Sequence, residues 1–283
     1  MTQCHAKKAL FRYGVTLFLC TFAAMKITFL GTGTSCGVPQ VGCTCPVCTS
    51  TDPHDDRLRS SVLVDTAHNH LLIDCGPDFR QQMRRQPFRK LDAILITHEH
   101  FDHVGGLDEL LPFCVFGPID IYAEQRVCDA LQQRLSYLFR EPMPGGGIPQ
   151  LRLHTIDERP FDLNGDTIVP IRLMHGRLPI LGYRIADTAY LTDVSTIPES
   201  EFCKLQQLDT LILDALRNWE HPSHETLDDA LAHIARLQPR QALLTHICHH
   251  FGRHADIEPT LPANVRIAYD GLQICCNDTK NYT

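Results

Sequence analysis

The chain has 283 residues, 43% hydrophobic and 21% charged, enough to bury a sizeable core in one large domain or two ordinary ones. Its formal net charge is -7, from 26 Lys+Arg against 33 Asp+Glu, which argues against broad electrostatic capture of nucleic acid. Of 13 cysteines, Cys43, Cys45 and Cys48 form a tight cluster and the rest are scattered. Scattered cysteines in so long a chain read as buried, reduced thiols and point to a reducing, cytoplasmic compartment.

Residues 1–24 stand apart. Lys7, Lys8 and Arg12 precede the apolar run 15–24, in the manner of a short signal peptide, and the run is too short to span a bilayer comfortably. Met25 opens directly into strand-like sequence. The expectation is an extension over 1–24 (a spurious start or an export signal), a domain over 25–276 and a tail over 277–283.

From Met25 onward, short apolar runs bounded by Gly, Pro or Asp predict strands at 27–31, 61–65 and 71–74, with a hairpin turn at 66–70 and an exposed His68. A helix is expected over 78–86 and a strand over 91–96. Val127, Leu131, Leu135 and Leu138 recur at near-helical intervals and predict an amphipathic helix over 124–139. Residues 140–150, with three consecutive glycines, read as a loop. Strands follow at 152–155, 167–174, 181–185, 189–191, 210–214 and 241–245. A helix is expected over 226–237 with Ser223 as its N-cap, and a closing hairpin at 265–268 and 272–275 around Asp270–Gly271. Two strand-rich halves, each with helices attached, predict an α+β fold of two packed sheets with helices outside.

The densest chemistry lies directly after the strand at 91–96. His98, His100, Asp102 and His103 place three imidazoles and a carboxylate within six residues. Such nitrogen and oxygen donors suit zinc or manganese, and they are too few to close two coordination shells. Further candidates stand where strands are predicted to end: His175, Asp193 and His246. Glu99, between two of the donors, is expected to be exposed or to sit behind them. Cys43, Cys45 and Cys48 form Cys-x-Cys-x-x-Cys, three thiols with the reach for one tetrahedral zinc. His249 is the favoured fourth ligand, with His250 and His54 as competitors.

The segment 97–103 resembles the His-x-His-x-Asp-His signature of the metallo-β-lactamase superfamily, and His175, Asp193 and His246 fall in the order of that superfamily's later ligands. The resemblance implies an αββα sandwich with a two-metal hydrolytic site at one edge. His98, His100 and His175 would hold one ion, Asp102, His103 and His246 the other, with Asp193 bridging. Water between two cations loses a proton readily near neutral pH. The Gly-Thr-Gly-Thr-Ser-Cys-Gly-Val-Pro start, the Cys cluster and Thr-His-Ile-Cys-His are similar to the phosphoribosyl cyclic phosphate phosphodiesterase (PhnP-type) branch. That branch implies a dinuclear zinc or manganese centre beside a structural zinc, and a homodimer. It also implies His224 as the general acid, with His221 as its rival.

The expected activity is hydrolysis of small cyclic phosphates such as 5-phosphoribosyl 1,2-cyclic phosphate, on a small phosphodiester partner rather than nucleic acid or a membrane. Arg177 and Arg217 are candidates for a terminal phosphate. The alternatives are a tRNA 3′-processing endonuclease, a lactonase or thioesterase, and a non-catalytic zinc-stabilised module.

Overall fold

The computed structural model describes residues 25–139 and 147–276; the expectations for 1–24, for the tail and for most of the 140–150 loop lie outside them. Fourteen strands make two seven-stranded sheets among the described residues. The first holds β1 (Met25–Gly31), β2 (Ser61–Asp65), β3 (His70–Ile73), β4 (Ala93–Leu95), β5 (Ile119–Glu124) and β6 (Leu151–Ile156). The second holds β7 (Phe161–Leu163), β8 (Asp166–His175), β9 (Leu178–Ile185), β10 (Thr188–Leu191), β11 (Thr210–Asp214), β12 (Gln241–Thr245) and β13 (Val265–Ile267). The last strand, β14 (Gln273–Cys276), returns to the first sheet and pairs antiparallel with β1.

Residues alternate across each sheet as the two-residue strand period requires. Phe29, Val64, Leu71 and Ile73 face inward and meet Tyr183, Tyr190, Ile212 and Leu243 of the other sheet. Leu72 and Ile94 turn outward onto α1 (Phe79–Met83) and α3 (Gln125–Arg134) through Phe79, Met83, Val127 and Leu131. Leu211 and Leu213 turn outward onto Ala230, Ile234 and Leu237 of α4 (Leu227–Leu237). The result is one αββα sandwich, as expected.

Several local expectations need correction. The helix expected over 124–139 begins only at Gln125, because Glu124 ends β5, which was not foreseen; it stops at Arg134 before a 3-10 turn at Ser136–Phe139. Thr226, not Ser223, caps α4: its hydroxyl accepts from Asp229 N, and the Asp229 carboxylate accepts from Thr226 N, a reciprocal capping box. The closing hairpin does not form. β13 pairs parallel with β12 in one sheet while β14 joins β1 in the other, so the turn at Asp270–Gly271 crosses between sheets. Buried Cys75, Cys128, Cys248 and Cys276 are free thiols, in keeping with their spacing. Cys275 is the exception, being disulfide-bonded.

No helix among the described residues is long and apolar enough to cross a membrane.

Candidate metal centre

Strand ends supply the site. β3 and β4 run parallel to each other in one sheet, as do β10, β11 and β12 in the other, and at or just past their C-terminal ends come Asp74, Thr97–His98, Asp193, Asp214 and His246. β8 ends on His175, across the sandwich. The short α2 (Phe101–Val104) carries Asp102 and His103 on one turn.

Two donor groups form there. His98, His100 and His175 bring their nitrogens within 4.8 Å of one another, and Asp102, His103, Asp193 and His246 do the same. Asp193 also falls in a group with His175 and His224, which places it between the two sets. His103 Nε2 lies 3.1 Å from Oδ2 of both Asp102 and Asp193 but is aligned for a hydrogen bond with neither. His98 Nε2 is also buried without a partner. Two orphaned ring nitrogens on fully buried histidines are costly unless something accepts their lone pairs.

The opposite ring nitrogens are fixed from behind. His103 Nδ1 donates to Asp74 Oδ2 at 2.7 Å, and His175 Nδ1 donates to the Ser223 carbonyl at 2.8 Å. Thr97 Oγ1 donates to Asp74 and so accepts from His98 Nδ1 at 3.0 Å. Each contact presents Nε2 as the lone-pair nitrogen, the arrangement by which outer partners orient metal-binding imidazoles. His224 Nδ1 lies 3.2 Å from Asp214 Oδ2, and its Nε2 lies 4.0 Å from Asp193 Oδ1.

A family model described as the beta-lactamase superfamily domain matches residues 69–247. The crystal structure of a diphosphatase from the PhnP family aligns with a TM-score of 0.83 and 38% identity, over 90% of this chain and 99% of that one. The chain belongs to the metallo-β-lactamase superfamily, in its PhnP branch. An octanoyltransferase of Porphyromonas gingivalis is 46% identical over 253 residues, 88% of this chain and 51% of the relative. A ribonuclease Z of Thermosynechococcus vestitus is 32% identical over 172 residues, 58% of this chain and 37% of the relative. The chain therefore spans about half, or less, of the length of these two curated relatives.

In this PhnP-branch chain the site electrostatics fit divalent cations. Burial lowers the pKa values of His98 and His175 and brings that of His246 down to about 3, so all three are neutral imidazoles at pH 7 with lone pairs free. Burial works against protonation of His103, and the carboxylates of Asp193, Asp102 and Asp74 outweigh it and raise its pKa well above the usual value. A cation among these groups takes over the charge balance that the His103 proton otherwise supplies.

The cysteine cluster closes as a second, separate group. Sγ of Cys43 and Cys45 lie 3.2 and 3.4 Å from His249 Nδ1, and Cys48 completes a set within 4.8 Å. The Cys48 backbone N–H is the main cause that lowers the Cys45 thiol to about 6, toward the thiolate that zinc requires. His250 stacks on His249 at 3.9 Å but is outside the set, and His54 is engaged with Asp52 at 2.7 Å.

Other candidates lie elsewhere. Glu99 is half-buried and pairs with Arg126. Arg177 is exposed on the turn between β8 and β9. The Arg217 guanidinium donates to the Trp219 and Glu220 carbonyls. Sequence reasoning missed Asp74 and Asp214, although each stands directly at the end of a strand, where the named ligands were sought.

Proposed function

We propose that the protein is a metal-dependent phosphoric diester hydrolase acting on small cyclic phosphates such as 5-phosphoribosyl 1,2-cyclic phosphate. His98, His100 and His175 would hold one divalent ion (zinc or manganese), Asp102, His103 and His246 the other, with Asp193 shared. Cys43, Cys45, Cys48 and His249 would hold a structural zinc. Two divalent cations in the first centre supply Lewis acidity and lower the pKa of water. The protein's own part is to aim the imidazoles, exclude stray donors and deliver a proton.

The observation that carries the reading is the placement of His224. Its Nδ1 meets the buried Asp214 carboxylate, and its Nε2 faces the shared Asp193 at 4.0 Å. Burial disfavours the charged ring, and Asp214, Asp193 and Asp102 outweigh that and raise its pKa, the direction a proton donor needs. A proton delivered from Nε2 suits a departing alkoxide, the poorest part of a diester as a leaving group. His221, the rival, accepts at Nδ1 from the Ser223 backbone N–H at 3.3 Å and pairs with no carboxylate among the described residues.

The test is a screen of cyclic phosphates and bis-p-nitrophenyl phosphate on zinc- or manganese-loaded protein. His224→Ala is expected to lower kcat for alkyl diesters by about 10²–10⁴, with bound metal retained. Full activity in metal-free protein overturns the reading. A second reading, ester or thioester hydrolysis, draws on the octanoyltransferase name of the relative matched over 88% of this chain. Rapid ester hydrolysis with negligible diester turnover favours it.

A further inference from the structure

His224 stands on a short segment whose main chain is bonded toward the metal centre on both flanks. The Ser223 carbonyl accepts from His175 Nδ1 at 2.8 Å. Glu225 N donates to the carbonyl of Val194, next to Asp193, at 2.6 Å, and the Glu225 carbonyl accepts from Leu216 N, two residues beyond Asp214, at 3.1 Å. The Glu225 side chain reaches α4 instead. It is 2% exposed, and its Oε1 lies 2.9 Å from Nδ1 of His233, in the middle of that helix. Among the described residues His233 is its one ion-pair partner, and neither carboxylate oxygen has an aligned hydrogen bond. His233 in turn rests against Phe202, with ring centroids 5.7 Å apart, and the Arg236 guanidinium lies over the same Phe202 ring.

Taking a carboxylate out of water with a single off-line partner costs free energy. A buried pair of this kind adds little to stability over an apolar pair of similar volume, yet breaking it strands a charge, so it ties two elements into one geometry. The elements tied here are the His224 segment and α4. What that geometry governs is the direction of His224 Nε2, which faces Asp193 Oδ1 at 4.0 Å. A tilt of the segment about its hydrogen bonds to the centre swings this nitrogen, and about an ångström of misplacement at a reacting group can cost on the order of a hundredfold in rate.

We propose that Glu225 and His233 are positioning residues, whose contact braces the His224 segment against α4 and keeps Nε2 aimed at the leaving oxygen. Neither belongs to a donor group of the metal centre. The proposal rests on the diester reading given above, in which His224 delivers the proton, and it concerns two residues to which that reading gives no part.

Two diesters separate positioning from a general structural role. Propanediol cyclic phosphate opens at an alkoxide and needs the proton, whereas bis-p-nitrophenyl phosphate releases a stabilised phenolate and does not. In metal-loaded protein, His233→Ala is expected to lower kcat on the cyclic phosphate by about tenfold or more. KM for both diesters, kcat on bis-p-nitrophenyl phosphate and bound metal per chain are expected to stay unchanged. His233→Asn keeps an N–H donor near the position of Nδ1 and is expected to recover most of the lost rate. In a His224→Ala background, His233→Ala is expected to cause no further loss, because the pair acts through His224. Glu225→Gln, which keeps shape without charge, is expected to show the same split between the diesters and carries the comparison if His233→Ala does not fold. Equal losses on both diesters, no recovery in the Asn variant, or a further loss in the double variant overturns the proposal. If the unsubstituted protein turns over neither diester, the diester reading itself has fallen and the positioning role with it.

Discussion

Asp74, Asp193 and His246 share an uncommon backbone state, with φ of 61°, 58° and 58°. The left-handed region costs an L-residue roughly 1–2 kcal/mol, so three such residues at one centre are strain held in place by their surroundings. The purpose is directional: a strand that continued in extended form would carry these side chains past the site, and the reversal turns them into it. A string of letters shows which residue types follow a strand, so His246 and Asp193 were legible as donors, but it does not show φ. Asp74 was invisible as a partner for the same reason, since its role depends on turning toward Thr97 and His103. Asp214 shows a second limit, because an acid that ends a buried strand looks like any strand terminus until His224 is placed against it. Burial pushes the Asp214 carboxyl up to about 7, against the pull of His224. Asp214 also supports the proton on His224, and without it that pKa falls. Asp214→Asn is therefore expected to move the alkaline limb of the kcat profile to lower pH and to reduce kcat about tenfold or more, read from pH–rate curves on metal-loaded protein.

At the scale of elements, the periodic segments were legible and their ends were not. β11 and β12 fall where the apolar runs predict them, because strands buried on both faces leave an uninterrupted signal. β5 was not predicted, although Ile119, Ile121 and Ala123 alternate inward, because no turn residue separates it from α3. The closing hairpin failed for a different reason: Asp270–Gly271 does form a turn, but local sequence does not say which sheet the next strand will join. Close approach between elements was equally hidden. A Cβ on Gly76 would lie 2.1 Å from the Asp102 carbonyl, so this glycine lets α2 rest against the end of β3. Gly76→Ala is expected to destabilise the protein by about 3 kcal/mol and to weaken metal binding, measured by denaturant titration and bound metal per chain. His246 and His249 stand three residues apart on one segment that serves both donor groups. Cys45→Ser is expected to lower bound metal by about one ion per chain and also to reduce kcat, because losing the cysteine site frees the segment that positions His246. An unchanged kcat would show the two groups to be independent.

Among the described residues the molecule is two sheets of matching design, each with three antiparallel and three parallel strand pairings. The sandwich and its edge-located site were legible because alternation and strand-end donors are properties of sequence. The pairing order was not, being settled by contacts between distant segments. Charge contributes to stability well away from the site. Burial tends to raise the pKa of Asp65, and His70, Arg89 and Lys26 outweigh it, bringing the carboxyl down to about 2. A carboxyl depressed in the folded state stabilises above its unfolded pKa of about 4, and that contribution is lost as pH falls through the folded value. Asp65→Asn is expected to cost about 1–2 kcal/mol at pH 7, discounted for partial exposure, with the difference closing near pH 2 in thermal melts.

β14 gives the fold a temporal property. Met25 lies opposite Cys276, so the first described strand receives its outer partner from the last. Contacts between such distant positions form slowly, because the loop they close is nearly the whole domain. During synthesis β1 presents an open edge until Gln273–Cys276 emerge, and an open edge is a template for pairing with other chains. The crossing at Asp270–Gly271 thus acts as a latch on the first sheet, and the growing chain stays exposed to aggregation along β1 until β14 has crossed.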